Sequence, residues 1–328
     1  MQNQKILLVD VDSKIPNIAL MKLSSFYKKQ GMVDLYKCNY DYYPKKRKII
    51  TINAEKYDKV FVAILFTTNK NYIKIINCKN VIYGGTGFDI KSTLPEDIEK
   101  EELDYSLYPN NDTSYGFITR GCIRNCPFCF VPKKEGQLKE YNKWKNIVKH
   151  KKVKFLDNNF LAYNKHKEIL KELRDNKILF QFNQGLDLRL IDDENAKLLS
   201  ECKYLGEYIF AFDDVSLKNI IETKIKLLKK YIKKDWRIKL FIYCHPNMAI
   251  QNDVLYRINW CKKQKIYPYL MRDVTCWESE NKHFYIDLAA WCNQPGLFKL
   301  FDFKTFTNKR HLNKTRAQNS IKIFYDLK

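Results

Sequence analysis

The chain has 328 residues, 45% hydrophobic and 14% aromatic, a globular composition that predicts about two domains at roughly 150 residues each. Its 59 Lys and Arg against 37 Asp and Glu give a formal charge of +22, yet only ten of the cations are Arg. Such a lysine-rich background permits an anionic partner without requiring one. No apolar run reaches the ~18 residues of a membrane span, and Ile6–Val9 is too short for a signal-peptide core, so a soluble cytoplasmic protein is expected. In that compartment the ten cysteines are expected as buried thiols, metal ligands or catalytic groups rather than disulfides.

In chain order, Lys5–Asp10 (KILLVD) reads as a buried strand, and Asn17–Gln30 carries helical spacing up to Gly31. Val33–Lys37 reads as a short strand, Lys59–Leu65 (KVFVAIL) as a buried one, and Asn80–Tyr83 runs into Gly84-Gly85-Thr86-Gly87. The alternation predicts a Rossmann-like α/β domain with a parallel sheet over residues 1–112. That span ends in an aperiodic linker, Lys91–Asn111, which holds Pro95 and Pro109.

The alternation then resumes. Strands are expected at Ser114–Ile118, Val153–Asp157, Ile178–Phe182, Glu207–Phe212, Arg237–Tyr243 and Ile266–Met271. Helices are expected at Lys165–Asp175, Asp192–Cys202, Ser216–Lys234 and Asn252–Lys263. Residues 113–273 therefore read as a partial (β/α)6 barrel, a fold that gathers chemistry at the carboxyl ends of its strands. Residues 274–328 read as an irregular, aromatic and basic extension.

The strongest chemical signal follows the first of those six strands: Thr119-Arg120-Gly121-Cys122-Ile123-Arg124-Asn125-Cys126-Pro127-Phe128-Cys129-Phe130-Val131-Pro132. Three thiols at this spacing can bind three corners of an iron–sulfur cube, leaving the fourth iron open for a ligand. Arg120, Arg124 and Lys133 can offset the thiolate charge. The same thiols can instead hold zinc with a fourth ligand such as His150 or His166.

Cys122-x3-Cys126-Pro127-Phe128-Cys129, at the head of six βα repeats, resembles the radical S-adenosylmethionine (SAM) superfamily over about residues 113–273. The resemblance implies a [4Fe–4S] cluster on Cys122, Cys126 and Cys129, with SAM chelated to the open iron and Phe128 against its adenine. One electron, from a donor of flavodoxin or ferredoxin type, then cleaves the sulfonium to a 5′-deoxyadenosyl radical that takes hydrogen from a substrate.

In the superfamily a Gly-Gly-Glu-type segment after the second strand meets the methionyl amine. Here Leu156-Asp157-Asn158-Asn159 stands in that place, and Asp157 and Asn158 can accept from an ammonium. After the third strand, Gln184 and Asp187 can face the ribose, and Arg189 can pair with the SAM carboxylate, or the segment is a polar turn and helix cap. Asp213, Cys244 and Arg272, at the ends of the fourth to sixth strands, are the substrate-side candidates, with Cys244 either a hydrogen-atom donor or a buried thiol. Asp214, His245 and Asp273 adjoin them.

Leu7–Gly31, Tyr57–Leu65 and Val81–Gly87 resemble the cobalamin-binding-type domain that precedes many radical SAM barrels. The Asp-x-His-x-x-Gly pattern for a lower ligand is absent, and no His precedes His150. The Cys122–Gly136 loop also resembles that of methylthiotransferases acting on tRNA or a ribosomal protein. Those carry three more cysteines in the leading domain, where this chain has only Cys38 and Cys78. Cys261, Cys276 and Cys292 match no local ligand hook and are expected as core thiols.

Basic residues interleave with Tyr141 and Trp144 in Arg120–Lys154, and with Phe301, Phe303 and Phe306 near the C-terminus. Such stretches suit RNA or a nucleotide as substrate, or are a solvated lysine-rich face over core aromatics. A noncatalytic, zinc-stabilised nucleic-acid-binding protein is the competing reading from another functional class.

Overall fold

A computed structural model describes residues 4–38 and 48–327. The chain divides into two compact units, residues 1–115 and 116–328.

The first unit is built on β1 (Gln4–Asp10), α1 (Ile18–Lys28), β2 (Gly31–Lys37), β3 (Ile50–Asn53), β4 (Lys59–Ala63), β5 (Ile73–Ile76) and β6 (Val81–Gly84). Four strands form a parallel sheet in the order β2-β1-β4-β6, with Leu8 opposite both Leu35 and Phe61. Side chains alternate across β1 because successive Cβ atoms point to opposite faces. Ile6 and Leu8 pack with Leu20, Met21 and Leu23 of α1, which starts at an Asn17 cap. Leu7 and Val9 pack with Ile52 and Ile73 of a separate parallel pair, β3–β5. Among the described residues this second face is therefore covered by strands, where a Rossmann-like arrangement would place a helix.

The segment expected as a linker is part of this core. It holds the short helix α2 (Glu96–Glu99), and Ile98, Leu107 and Tyr108 are buried with Leu20 and Tyr27. Ser24 donates to Asp104 (2.6 Å), and Lys29 pairs with Glu101 (2.6 Å). Its apolar residues follow no helix or strand period because the backbone that presents them is mostly irregular.

The division falls within β7 (Thr113–Gly116), the strand that begins the second unit's sheets. There follow β8 (Thr119–Arg120), α3 (Val131–Glu135), β9 (Lys139–Glu140), α4 (Trp144–Ile147), β10 (Lys152–Phe155), α5 (His166–Asp175) and β11 (Leu179–Phe182). Next come α6 (Asp193–Glu201), β12 (Tyr208–Ala211), α7 (Lys218–Tyr231), β13 (Ile238–Cys244), α8 (Tyr256–Lys263) and β14 (Tyr267–Arg272). All six expected strands form, each within three residues of the expected ends.

They pair as two three-stranded sheets, β7-β10-β11 and β12-β13-β14. Isolated parallel bridges join Phe180 of β11 to Tyr204, before β12, and Leu186, past β11, to Phe210 of β12. Beyond β11 the chain turns at Gly185, which has a left-handed φ of +88°. The described residues thus make an α/β unit of two parallel-type sheets and no closed barrel.

The C-terminal extension is helical rather than irregular: α9 (Lys282–Cys292), α10 (Pro295–Leu300), α11 (Phe303–Arg310) and α12 (Lys314–Tyr325). Trp291, Phe298, Phe303 and Phe324 bury into the same apolar cluster as the strands, and the Phe303 and Phe324 rings stack at 4.4 Å. No helix of the described residues is long and apolar enough to cross a membrane.

Gly85 follows β6 with φ +92°, and a Cβ there would lie 2.3 Å from the Ile64 carbonyl oxygen. Gly85→Ala is therefore expected to cost about 1–3 kcal/mol, read as a lower urea midpoint at unchanged slope.

Candidate active site at the strand ends of the second unit

The cysteine loop is an excursion closed at its neck. β8 and β9 pair antiparallel, Arg120 against Lys139, and Cys122 N–H donates to the Gly136 carbonyl (3.2 Å). Gly121 has φ +87°, and a Cβ there would sit 2.2 Å from the Gln137 carbonyl oxygen, so the neck requires glycine. Arg120 pairs with Glu135 across the loop (2.8 Å). Inside, Cys129 N–H donates to the Cys126 carbonyl (3.0 Å), making a tight turn around Pro127-Phe128. Cys122, Cys126 and Cys129 are all half-buried.

Three consecutive residues after β10 grip the entry to this loop in register. Asp157 accepts from Ile118 N–H (3.2 Å), Thr119 N–H (2.6 Å) and the Thr119 hydroxyl (2.7 Å). Asn158 Oδ1 accepts from Gly121 N–H (3.1 Å), and Asn159 Nδ2 donates to Cys122 Sγ (3.4 Å). Burial pushes the Asp157 carboxyl up to about 6 despite these donors. Asp157 and Asn158, expected to meet an ammonium group, are instead committed to the loop backbone. Asn159, not singled out in the sequence, is 3% exposed, and its Oδ1 is buried without a hydrogen-bond partner.

From the third strand, Asp187 caps the turn at Leu188 and pairs with two guanidinium groups, Arg189 (2.7 Å) and Arg124 of the cysteine loop (2.9 Å). Burial raises the Asp187 carboxyl, but these two cations outweigh it and hold it below its usual range. Arg189 spends its fork on Asp187, at 2.7 and 3.0 Å, rather than presenting it to a carboxylate of a ligand. Gln184 lies exposed in the preceding turn. Burial also pushes the Cys126 thiol up, with Arg189 pulling the other way.

The second sheet supplies the opposite side. Asp213 accepts from Tyr243 N–H (2.9 Å), and its charge is felt at Cys126 and Cys129. Burial raises its carboxyl from 3.8 to about 6. Arg257, fully buried on α8, donates to the carbonyls of Phe212 (2.8 Å) and Tyr243 (3.0 Å) and so ties the ends of β12 and β13. The Phe128 ring stacks on Tyr243 at 4.0 Å and 13°, and the Tyr243 hydroxyl donates to Asp273 (2.7 Å).

Tyr243, rather than Cys244, reaches the loop. Strand alternation turns the next side chain the other way, and Cys244 is wholly buried beside Cys276. A hydrogen bond with Cys276 and burial push its thiol far up. Cys261, Cys276 and Cys292 are core thiols. Arg272 lies with its guanidinium 4.3 Å over the Trp277 ring, and His245 accepts from Asn247 N–H in a turn (3.0 Å). Neither Tyr243 nor Arg257 was legible as a site residue, since a tyrosine within a strand and an arginine within a helix carry no motif.

The donor set suits a cluster. Three thiols share one loop, Arg124 and Arg189 stand by to offset thiolate charge, and an orphaned buried acceptor lies beside Cys122. Among the described residues no three His, Cys, Asp or Glu side chains gather as a cage for a single metal ion.

Cobalamin fits less well in the first unit. Its sheet order reverses between β1 and β4, where doubly wound sheets bind ligands. There Asp12 accepts from Leu65 N–H (2.8 Å), Phe66 N–H (3.0 Å) and Asn69 (3.0 Å), bridging the crevice. No imidazole precedes His150 to serve as a ligand.

The aromatic residues proposed to stack on bases are in part core residues. Trp144, Phe303 and Phe306 are buried, and the Trp144 indole donates to Glu172 (2.8 Å).

No family model matches the chain, and no curated protein matches it. Among solved structures it is similar to the crystal structure of Streptococcus suis SuiB bound to precursor peptide SuiA, at 15% identity and a TM-score of 0.35. The match covers 51% of this chain and 40% of that one, so the chain spans about two fifths of that protein's length. A likeness of this size assigns no family.

A carboxyl whose pKa is raised in the folded state binds its proton more tightly there than in the unfolded chain. Stability due to Asp213 is therefore present below about pH 4 and lost as pH rises to about 6. Asp213→Asn removes that loss. Its stability relative to the parent chain should rise by up to about 3 kcal/mol from pH 4 to pH 7, measured by urea unfolding.

Proposed function

We propose that this chain is a radical SAM enzyme, with residues 113–273 as a partial barrel and a [4Fe–4S] cluster on Cys122, Cys126 and Cys129. One observation carries the reading. The three-thiol loop follows the first of the six strands expected from the sequence, and groups after the second and third and within the fifth contact it directly. When bound, the cluster would supply one electron to the sulfonium of SAM, drawn from a low-potential donor of flavodoxin or ferredoxin type, and generate a carbon radical.

The chain's own residues do the rest. Arg124 and Arg189, anchored on Asp187, offset the negative charge of thiolates and cluster. The Asn159 Oδ1 acceptor takes a donor such as the amine of SAM, a role assigned above from the sequence to Asp157 and Asn158. Phe128, held by Tyr243, offers an apolar wall for the adenine. Asp213, with its carboxyl near 6, can hold a proton at the mouth in mildly acid solution. Two cysteines in the first unit, Cys38 and Cys78, do not complete the second ligand set of a methylthiotransferase.

Anaerobic reconstitution with iron and sulfide is expected to give about four irons per chain. Dithionite and SAM should then release 5′-deoxyadenosine from the parent chain and none from the Cys122→Ala/Cys126→Ala/Cys129→Ala variant. Zinc in place of iron, with no product, would replace this reading by the zinc-stabilised nucleic-acid-binding one.

A further inference from the structure

Asn159 sits where an asparagine ordinarily caps a helical turn, immediately before the turn Phe160–Ala162. Elsewhere in this chain Asn17, Asp187, Asp214, Asp273 and Asn313 at such positions accept a backbone N–H with the side chain, while Asn281 before α9 does not. Asn159 makes no such cap. Its amide is turned instead into the interior, with Nδ2 3.4 Å from Cys122 Sγ and 3.5 Å from Asp187 Oδ2. The cost is visible in Oδ1, which is buried without a partner. Cys122 Sγ accepts a second donor, the backbone N–H of Arg124, at 3.3 Å.

What sets Asn159 apart is that its buried amide donates to a sulfur while its own oxygen goes unpartnered. N–H donors stabilise a sulfur more as its negative charge grows, and hydrogen bonds to ligand sulfurs set the potential of an iron–sulfur centre. We infer that Asn159 is a positioning residue that holds Cys122 by an N–H···S bond and thereby raises the reduction potential of the cluster proposed above. Its second hydrogen on Asp187 ties this sulfur to the carboxylate that anchors Arg124 and Arg189, so the charge-compensating pair is held in step with the ligand. The inference rests on the cluster reading and adds a role for a residue outside the cysteine motif.

The test is a potentiometric titration of the reconstituted protein without SAM or substrate, followed by the paramagnetic signal of the reduced cluster. Asn159→Leu removes the donor. Asn159→Asp keeps the shape and replaces the donor by an oxygen. In both, the ratio of reduced to oxidised cluster at a fixed potential should fall by about fivefold to tenfold, tenfold being 59 mV for a one-electron couple. Asn158→Ala loosens the Gly121 N–H without touching a sulfur and should stay within about twofold of the parent chain.

Full iron and sulfide with an unshifted ratio in both Asn159 variants would overturn the inference. So would loss of iron and sulfide from both while the parent chain retains them, since Asn159 would then only support the loop. A parent chain that binds no iron and sulfide would instead overturn the cluster reading itself, and this inference with it.

Discussion

The second unit depends on a buried carboxylate. Asp157, 1% exposed at the end of β10, accepts three hydrogen bonds from Ile118 and Thr119 and so fixes the point at which the cysteine loop leaves its strand. Burying a carboxylate is costly, and its raised pKa records the part of that cost the donors do not offset. Each donor to a charged acceptor contributes about 1.5–3 kcal/mol, enough to hold the short stretch between β7 and the two-residue β8–β9 ladder. Asn158 and Asn159 extend the same grip to Gly121 and Cys122, so three successive side chains index the loop residue by residue.

Charge around the loop follows from that placement. Once Cys122 is fixed, Arg124 is carried to Asp187, and Asp187 draws in Arg189 from the end of the third strand. A single carboxylate thus holds two guanidinium groups beside the thiols, with Asp213 opposing them from the other sheet. The far side is set by Arg257, a buried cation whose donors are spent on strand-end carbonyls and on Asp253, so that it organises β12 and β13. Asp213 and Tyr243 are delivered to the loop by that organisation, and the stacking of Tyr243 on Phe128 closes the contact between the two sheets.

Much of the scaffold was legible in the amino-acid order. Runs such as KILLVD and KVFVAIL declare buried strands because both sheet faces are covered, and helical patterns separate the strands that follow. The three cysteines and the glycine before them announced a loop with a ligand set. The packing of Lys91–Asn111 against α1, the β3–β5 pair and the C-terminal helices were not legible. That segment has no apolar period, β3, β5 and α10 are short, and α9 is buried nearly all round, so local pattern does not separate these from linker or coil.

What the sequence alone determined is the order of strands and helices and the clustering of thiols in one loop, because hydrophobic period and ligand spacing are local properties of the chain. Only the tertiary structure decided which polar side chains face that loop. Asp157 and Arg189, chemically suited to a ligand, are spent on protein partners, and Cys244 is turned into the core by the alternation of its strand. Asn159, Tyr243 and Arg257 take their places at the site because hydrogen-bond partners, unlike periodicity, are assigned by residues distant in the chain that folding brings within a few ångströms.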